Sequence, residues 1–543
     1  MIKQYRAVNV GVLWGICALC ILLAAGMLAY PFGYDQGAFA VGGEMILHKG
    51  AIVYRDILDT KPPGIFLIYA LSSLLFGHHE WSIRALDAIY ILCTAFYFYK
   101  IVLKALADQG LALTAATLLV LTHVTSGFWM TAQAESFSIL PSLVICQMTL
   151  ELRGKLSSRG ALWRGTLAGL AAASLFFLKF TLLTVPLASI VYLFLRTEIP
   201  IKERVRFIGL MLGILFPSVC LYLLYLSQVG GLARFTEALQ WVSSYSALAP
   251  LLSFETISTK YFQLFPQNLV WSWTPTIVVL GAVGTWQFAR GVRTSDDNEE
   301  RNFYSLFFLQ CFLALLSVLY ERKYFQYHYA RALWALIPFI SVGVWEAARM
   351  FKDLKLRAIS SSTASTLVNK TLVYFALVIA LAYSPLPRLL SQPIKWTSMA
   401  LRGTDRSAEV QKQIPNYYYS DVIRMTSALK PRLAAGDSVF FWGNEASVYF
   451  HLDRLPQTFV LTNTPLITSW TPLAWKSAMM QQLTASHPRF FISEFGDARD
   501  YISGTTRDSY QHLLDWPELK TYVESNYVRT DSIGHFLIFE AKK

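Results

Sequence analysis

Apolar runs of about twenty residues recur through the first 388 residues of this chain. A membrane-spanning helix needs about 20 apolar residues in a row, because its backbone groups must be satisfied inside the helix. Hydrophobic residues make up 54% of the chain's 543 residues, and the mean hydropathy of +0.41 is too high for a water-soluble protein of this size. We therefore predict eleven spans, at residues 10–30, 83–104, 110–128, 137–152, 163–178, 182–196, 205–228, 267–288, 303–320, 331–349 and 370–388.

Two further apolar segments, 36–48 and 64–77, are too short to span, and we predict that they are interfacial or re-entrant helices. The run 10–30 follows Lys3 and Arg6, which is also the layout of a signal peptide. It is longer than the usual signal-peptide core of about 7–15 residues, so we predict that it is retained as the first helix.

Lysine and arginine are unevenly distributed between alternate loops of this layout. Of the 30 in residues 1–387, 20 fall on the side of the N-terminus and 10 on the other side. Cytoplasmic loops carry the excess of basic residues, so the N-terminus is predicted to be cytoplasmic and the C-terminal segment extracytoplasmic, in the cell inner (plasma) membrane. The net charge of +12 resides mainly in these loops and is a topology signal, not a nucleic-acid patch.

The last 150 or so residues have a different pattern. Three short apolar runs there have the composition of strands: 438–443, 489–495 and 535–541. Polar, helix-like stretches accompany them, among them 405–413 and 417–433. We therefore predict a membrane domain at 1–388 and an extracytoplasmic α/β domain at 389–543, which covers the active site or binds the acceptor.

A densely charged segment, residues 30–64, lies between two apolar runs. It contains Asp35, Glu44, Asp56, Asp59 and Lys61. Ionisable groups pinned at a membrane face mark sites, so we predict a catalytic loop with Asp35 as its general base. Alternatively, Asp35 is only the N-cap of a helix.

Lys61 opens the sequence Lys61-Pro62-Pro63-Gly64. The two prolines favour an extended entry, after which Pro63 can occupy the first turn of a helix. Lys61 either contributes to the site or reaches the lipid headgroups as a snorkelling side chain.

These motifs together resemble a known family. An Asp follows the first predicted span, a Lys-Pro-Pro comes 26 residues later, and Leu75-Phe76-Gly77 and Arg84 follow. The pattern is similar to that of GT-C glycosyltransferases in the branch of protein O-mannosyltransferases and lipid A aminoarabinose transferases. The resemblance implies a GT-C fold and a membrane enzyme that transfers a sugar from a polyprenyl-phosphate-linked donor at the outer face to a lipid, glycan or protein.

The resemblance also implies roles for two residues of the charged segment. Asp35 matches the family's catalytic Asp, and Lys61 matches a Lys that holds the lipid phosphate. Gln36 follows Asp35, where protein mannosyltransferases have an acidic residue, so the pattern of a paired acid is not carried over.

Glu135 is a second candidate catalytic acid, because it follows the third span in a short outer loop. The alternative is a carboxylate that only stabilises a helix N-terminus. Asp35 and Glu135 together could flank a divalent ion, the one possible cofactor. The six cysteines all fall in apolar segments, which argues against a disulfide framework, and no zinc motif is present.

The outer loop 321–331 is basic and aromatic, which suits a phosphate and a sugar ring. Its candidate donor-binding residues are Arg322, Lys323, Tyr327, His328 and Arg331. An interfacial aromatic belt is the alternative. Lys179 is a candidate phosphate partner or a snorkelling residue, and Arg84 binds substrate or pairs with Asp87.

A secondary transporter or lipid-linked sugar flippase is the competing function. It should place ionisable residues near the bilayer midplane, often in repeated halves, whereas here the charges cluster at one face. A polymer ligase with a diphosphate donor would normally lack the early Asp and Lys-Pro-Pro. No phosphate-binding glycine loop and no Asp-x-Asp triplet is found, so a nucleotide sugar is not the predicted donor.

Overall fold

The computed structural model describes residues 8–152, 158–247, 280–286, 298–323, 325–356, 386–414 and 417–542. The chain divides into two compact units. The helical unit comprises Met1–Tyr30, Arg84–Ser218 and Leu252–Ser398, and the mixed unit comprises Pro31–Ile83, Val219–Leu251 and Met399–Lys543. Most of the predicted spans 267–288 and 370–388 lies outside the described residues. The predicted domain boundary at residue 388 stays a prediction.

Helices account for nearly all regular structure up to residue 402. In chain order they are α1 Val10–Gly26, α2 Tyr34–Lys49, α3 Gly64–Phe76, α4 Glu80–Leu106, α5 Gln109–Thr125, α6 Ala134–Leu150, α7 Ser158–Leu178, α8 Thr184–Leu195, α9 Ile201–Gln228, α10 Leu232–Ala247, α11 Asn298–Glu321, α12 Ala330–Leu356 and α13 Leu386–Arg402. The predicted helical class of fold is therefore confirmed.

Five helices in the described part of the chain are long and apolar enough to cross a membrane. They are Val10–Ala29, Glu80–Leu106, Ile201–Gln228, Glu299–Glu321 and Tyr327–Arg349. Five shorter apolar helices accompany them, at Gly64–Phe76, Gln109–Thr125, Ala134–Leu150, Leu162–Leu178 and Phe180–Leu195. These elements coincide with predicted segments, and the count of eleven spans stays a prediction.

Helix α9 shows how such helices use their two faces. Its side chains Phe216, Leu221 and Leu224 are each more than half exposed, which is unfavourable in water and suits hydrocarbon. On the packed side, α7 presents Gly165 and Gly169 to α9. A Cβ on Gly169 would lie 2.8 Å from the Cβ of Ile214, so only glycine permits this approach.

The C-terminal part of the mixed unit contains the predicted strands. β1 Val439–Trp442, β2 Phe490–Glu494 and β4 Phe536–Ala541 fall on the three apolar runs, and β3 Tyr527–Ile533 completes the sheet. The strand order is β1-β2-β4-β3, with β1 parallel to β2 and the other pairs antiparallel. The helices here are α14 Ser407–Gln413, α15 Tyr419–Leu429, α16 Ser447–His451, α17 Leu473–Ser486, α18 Asp500–Ser503, α19 Ser509–Asp515 and α20 Pro517–Asn526.

The predicted interfacial segments form α2 and α3, which pack closely against each other. A Cβ on Gly43 would lie 2.8 Å from the backbone nitrogen of Ala70, so the glycines of α2 permit the contact. Helix α2 ends at Gly50, whose φ of 60° suits a glycine C-cap. The sequence allowed Pro63 a place in the first turn of α3. In the structure Pro63 lies just before that turn, as the N-cap.

Candidate active site

Asp35 lies in the first turn of α2. Gly33 is the N-cap, and its N–H donates to the side-chain oxygen of Gln36 at 3.1 Å. The alternative in which Asp35 is the N-cap is therefore wrong. Asp35 therefore lies at the amide end of α2, which is the positive end of the helix dipole.

Lys61 lies beside Asp35 in the mixed unit. Its ammonium nitrogen is 3.9 Å from an Asp35 carboxylate oxygen and 4.6 Å from the centre of the Phe39 ring. The Asp35 side chain is 26% exposed and that of Lys61 is 13% exposed. The structure thus brings together the two residues that the resemblance assigned to catalysis and phosphate binding.

The turn before Lys61 is shaped by Asp59 and Leu58. A carboxylate oxygen of Asp59 accepts a hydrogen bond from the Lys61 N–H at 2.8 Å, and the Leu58 N–H donates to the Phe459 carbonyl at 2.7 Å. Burial raises the pKa of Asp59, although the Lys61 ammonium opposes this effect. Asp59 therefore supports the turn and competes with Asp35 for the charge of Lys61.

A second group of charged residues, the buried ion cluster, lies in the helical unit. It consists of Glu135, Lys179, Glu321, His328 and Arg331. Glu135 accepts hydrogen bonds from Lys179 at 2.7 Å and from Arg331 at 3.1 Å through the same oxygen. Arg331 also donates to Glu321 at 2.7 Å, and the Nδ1 atom of His328 lies 3.0 Å from the other Glu321 oxygen.

The members of the cluster come from the ends of several helices. Glu135 is in the first turn of α6, Glu321 ends α11, and Arg331 is in the first turn of α12. Lys179 precedes the 3-10 helix Phe180–Leu183, and His328 lies in the 3-10 helix Gln326–Tyr329. All except Lys179 are less than a tenth exposed. The negative charges of the two glutamates therefore offset the positive charges of the lysine and the arginine in a largely buried setting.

Aromatic rings border this cluster. Tyr327 stacks on Phe325 with ring centres 5.7 Å apart, and Trp129 meets Tyr327 edge-on at 5.9 Å. The ammonium of Lys179 lies 5.8 Å from the Tyr327 ring centre. Arg322 and Lys323, the other two basic candidates, are partly buried and directly follow α11.

Arg84 is fully buried and supports the segment that leads into α6. Its guanidinium donates to the Thr131 hydroxyl at 2.9 Å and to the Phe128 carbonyl at 3.0 Å. Asp87, one turn further along α4, accepts from the Ala132 N–H at 2.9 Å. These contacts fix the segment just before Glu135. The predicted role of Arg84 in substrate binding stays a prediction.

Sequence reasoning missed Glu321 and His123, and it named Asp87 only as an alternative partner of Arg84. The ring nitrogen Nε2 of His123 lies 3.1 Å from Asp87, so it belongs to the same support. Glu321 ends an apolar run just as Glu135 begins one, and that signal could have identified it. Nothing in the sequence near His123 indicates its partner. In the described residues, no three His, Cys, Asp or Glu side chains are grouped in a way that could hold a metal ion.

Comparisons with known proteins agree with this architecture. Residues 60–223 match the family model of dolichyl-phosphate-mannose-protein mannosyltransferases. The crystal structure of ArnT from Cupriavidus metallidurans bound to undecaprenyl phosphate superposes with a TM-score of 0.58 at 12% identity, covering 98% of both chains. The apo form of the same ArnT superposes with a TM-score of 0.55 at 12% identity, covering 97% of both chains. No curated protein sequence is significantly similar to the chain.

The long superposition and the helical architecture define the chain as a membrane protein with the GT-C fold. Within that class, the matches confirm the predicted resemblance to protein mannosyltransferases and to ArnT.

Proposed function

We propose that the chain is an integral membrane glycosyltransferase that moves a sugar from a polyprenyl-phosphate-linked donor to an acceptor. The observation that carries the proposal is the pairing of Asp35 with Lys61, 3.9 Å apart and both partly exposed. A carboxylate and an ammonium side by side are the two groups that transfer from a phosphate requires. The fold and the ArnT structure bound to undecaprenyl phosphate support a lipid-linked donor.

Asp35 accepts the proton of the acceptor's hydroxyl or amine as the acceptor's oxygen or nitrogen attacks the anomeric carbon of the sugar. The bond between the anomeric carbon and the phosphate oxygen breaks, and the phosphate leaves on its polyprenyl chain. Lys61 is a compact positive charge that offsets the charge developing on that phosphate. The lipid tail stays in hydrocarbon, so only the phosphate and the sugar need a polar site.

The residues in and beside the buried ion cluster include the candidates for donor binding. We propose that Tyr327, Arg322 and Lys323 contribute contacts to the sugar and the phosphate. Lys179, His328 and Arg331 are already engaged with Glu135 and Glu321, so their contribution to a ligand depends on that balance. The role of Glu135 as a second catalytic acid stays a prediction. Its contacts also support a role in holding Lys179 and Arg331.

The acceptor is a lipid, glycan or protein at the outer face of the plasma membrane. The uneven distribution of basic residues supports a cytoplasmic N-terminus and an extracytoplasmic C-terminal domain. Single cysteines in place of Lys202 and Gln457, both exposed, test this topology with an impermeant thiol reagent in intact cells. We expect labelling at position 457 only. Labelling at position 202 alone would reverse the topology.

The experiment that tests the function uses the purified protein in nanodiscs. Polyprenyl-phosphate sugars and nucleotide sugars are supplied separately with a panel of acceptors, and free polyprenyl phosphate and glycosylated acceptor are measured. We expect both products from the lipid donor alone, with loss of both in Asp35→Asn. Transfer from a nucleotide sugar without polyprenyl lipid would contradict the proposal.

A further inference from the structure

The segment that carries Asp35 is held from outside its own helix. Phe32 lies three residues before Asp35 and is almost fully buried, at 1% exposure. Its N–H donates to one carboxylate oxygen of Glu80 at 3.2 Å, and its carbonyl accepts the hydroxyl of Tyr417 at 2.9 Å. Both backbone groups of Phe32 are thus engaged by side chains distant in sequence.

Glu80 is itself held by the C-terminal part of the mixed unit. The hydroxyl of Tyr419 donates to its second carboxylate oxygen at 2.8 Å. Tyr417 therefore contacts Phe32 directly, and Tyr419 acts on Phe32 through Glu80. Burial, with the charges of Glu445 and Glu80 next, raises the pKa of Tyr417, so its hydroxyl stays protonated and able to donate.

The C-terminal part of the unit makes further contacts along the same segment. The guanidinium of Arg499 lies 3.8 Å from the ring centre of Tyr34, and that ring is 4.6 Å from the ring of Tyr417. One turn into α2, a Cβ on Gly37 would lie 2.9 Å from the side chain of Ser447. Residues on both sides of Asp35 in sequence therefore contact the C-terminal part of the unit.

We propose that Tyr417 and Tyr419, with Glu80 between Tyr419 and the backbone, are positioning residues for Asp35. They hold Phe32 and so set where α2 begins and where the Asp35 carboxylate lies. The inference rests on the proposed role of Asp35 as general base. It gives the C-terminal domain a task in catalysis besides covering the site or binding the acceptor.

Tyr417→Phe tests the inference with the smallest change, because it removes the hydroxyl and keeps the ring. We expect kcat to fall by up to about 100-fold, since a displacement of about 1 Å can have that effect. KM for the donor should change little, because Lys61 keeps its place. Tyr419→Phe should reduce kcat less, since Glu80 still accepts from Phe32. Normal kcat in Tyr417→Phe would overturn the inference.

Tyr527→Phe is the matched control. Tyr527 is buried in the same unit, and its hydroxyl also donates to a backbone carbonyl, that of Pro488, at 2.8 Å. This variant loses a comparable hydrogen bond far along the chain from Phe32, so we expect normal turnover. An equal loss in Tyr527→Phe and Tyr417→Phe would mean general destabilisation and would overturn the inference.

Two readouts separate this inference from the proposed function. Tyr417→Phe in the Asp35→Asn background should cause no further loss of kcat. The effects of two substitutions that act through the same group are not additive. Additive losses would overturn the inference. Amide hydrogen exchange of residues 32–37 in nanodiscs should accelerate in Tyr417→Phe but not in Tyr527→Phe, and unchanged exchange would overturn the inference. A wild type that releases no polyprenyl phosphate contradicts the proposed function instead, and the exchange result still decides whether Tyr417 holds the segment.

Discussion

The Asp35–Lys61 pair and the buried ion cluster are both made of opposite charges, yet they are built differently. The pair is partly exposed and separated by 3.9 Å, beyond hydrogen-bonding distance. Within the cluster, Glu135 is fully buried and accepts from Lys179 at 2.7 Å. A partly solvated pair can exchange its partner for a ligand at little cost, whereas a buried ion that loses its partner is strongly destabilised. The difference favours ligand exchange at the pair and a structural role for the cluster.

Glu135→Ala is expected to have the largest effect on stability. It removes one of the two carboxylates that Lys179 and Arg331 share, the other being Glu321, and breaking a buried ion pair costs about 3–5 kcal/mol. Thermal unfolding in nanodiscs measures the loss. Glu135→Gln, which keeps an acceptor oxygen, should lose less.

Glu151→Ala is the matched control for that variant, because Glu151 caps the other end of α6. Its carboxylate contacts Lys104 at 2.6 Å and Arg164 at 3.2 Å, in a more exposed setting. Exposed pairs contribute about 1 kcal/mol or less. Equal destabilisation by Glu135→Ala and Glu151→Ala would remove the distinction between buried and exposed charges.

Lys61→Ala is expected to impair donor use more than acceptor use. A hydrogen bond to a charged group contributes about 1.5–3 kcal/mol, so kcat/KM for the donor should fall by about 10- to 150-fold. Initial rates with each substrate varied in turn separate the two effects. Lys49→Ala is the control, because the Lys49 ammonium donates to the Pro456 carbonyl at 2.8 Å. Equal losses for donor and acceptor would indicate that Lys61 serves folding of the turn.

The smallest expected effect is the coupling of Asp35 and Lys61 in stability. A double-mutant cycle with Asp35→Asn and Lys61→Met should give a coupling energy of less than about 1 kcal/mol, calculated from the free energies of unfolding. The free energies of unfolding of the wild type, the two single variants and the double variant are measured under one condition. A coupling of several kcal/mol would place this pair in the same category as the buried ion cluster.

Local sequence patterns were enough to predict most elements of the fold. Apolar runs of sufficient length gave helices α4 to α9, and short apolar runs bounded by polar residues gave β1, β2 and β4. Strand β3, Tyr527–Ile533, was missed because its middle five residues are exposed and mostly polar, so no buried face marks it.

Only the part of the candidate site whose residues lie close together in the sequence and match the family pattern was predictable. Asp35 and Lys61 are 26 positions apart, and the resemblance paired them before any geometry was known. Arg331 and Glu135 are 196 positions apart, and Tyr417 and Phe32 are 385 apart. Such partners are chosen by the packing of whole helices, and no periodicity or motif near either residue encodes that choice.

The central claim is that Asp35 is the base of a sugar transfer from a polyprenyl-phosphate donor. Turnover of Asp35→Asn against wild type, measured as free polyprenyl phosphate at equal amounts of folded protein, tests it most directly. Asparagine keeps the shape and removes the ability to accept a proton, so the rate should fall by about 10²- to 10⁴-fold. Near-normal turnover by Asp35→Asn would contradict the account.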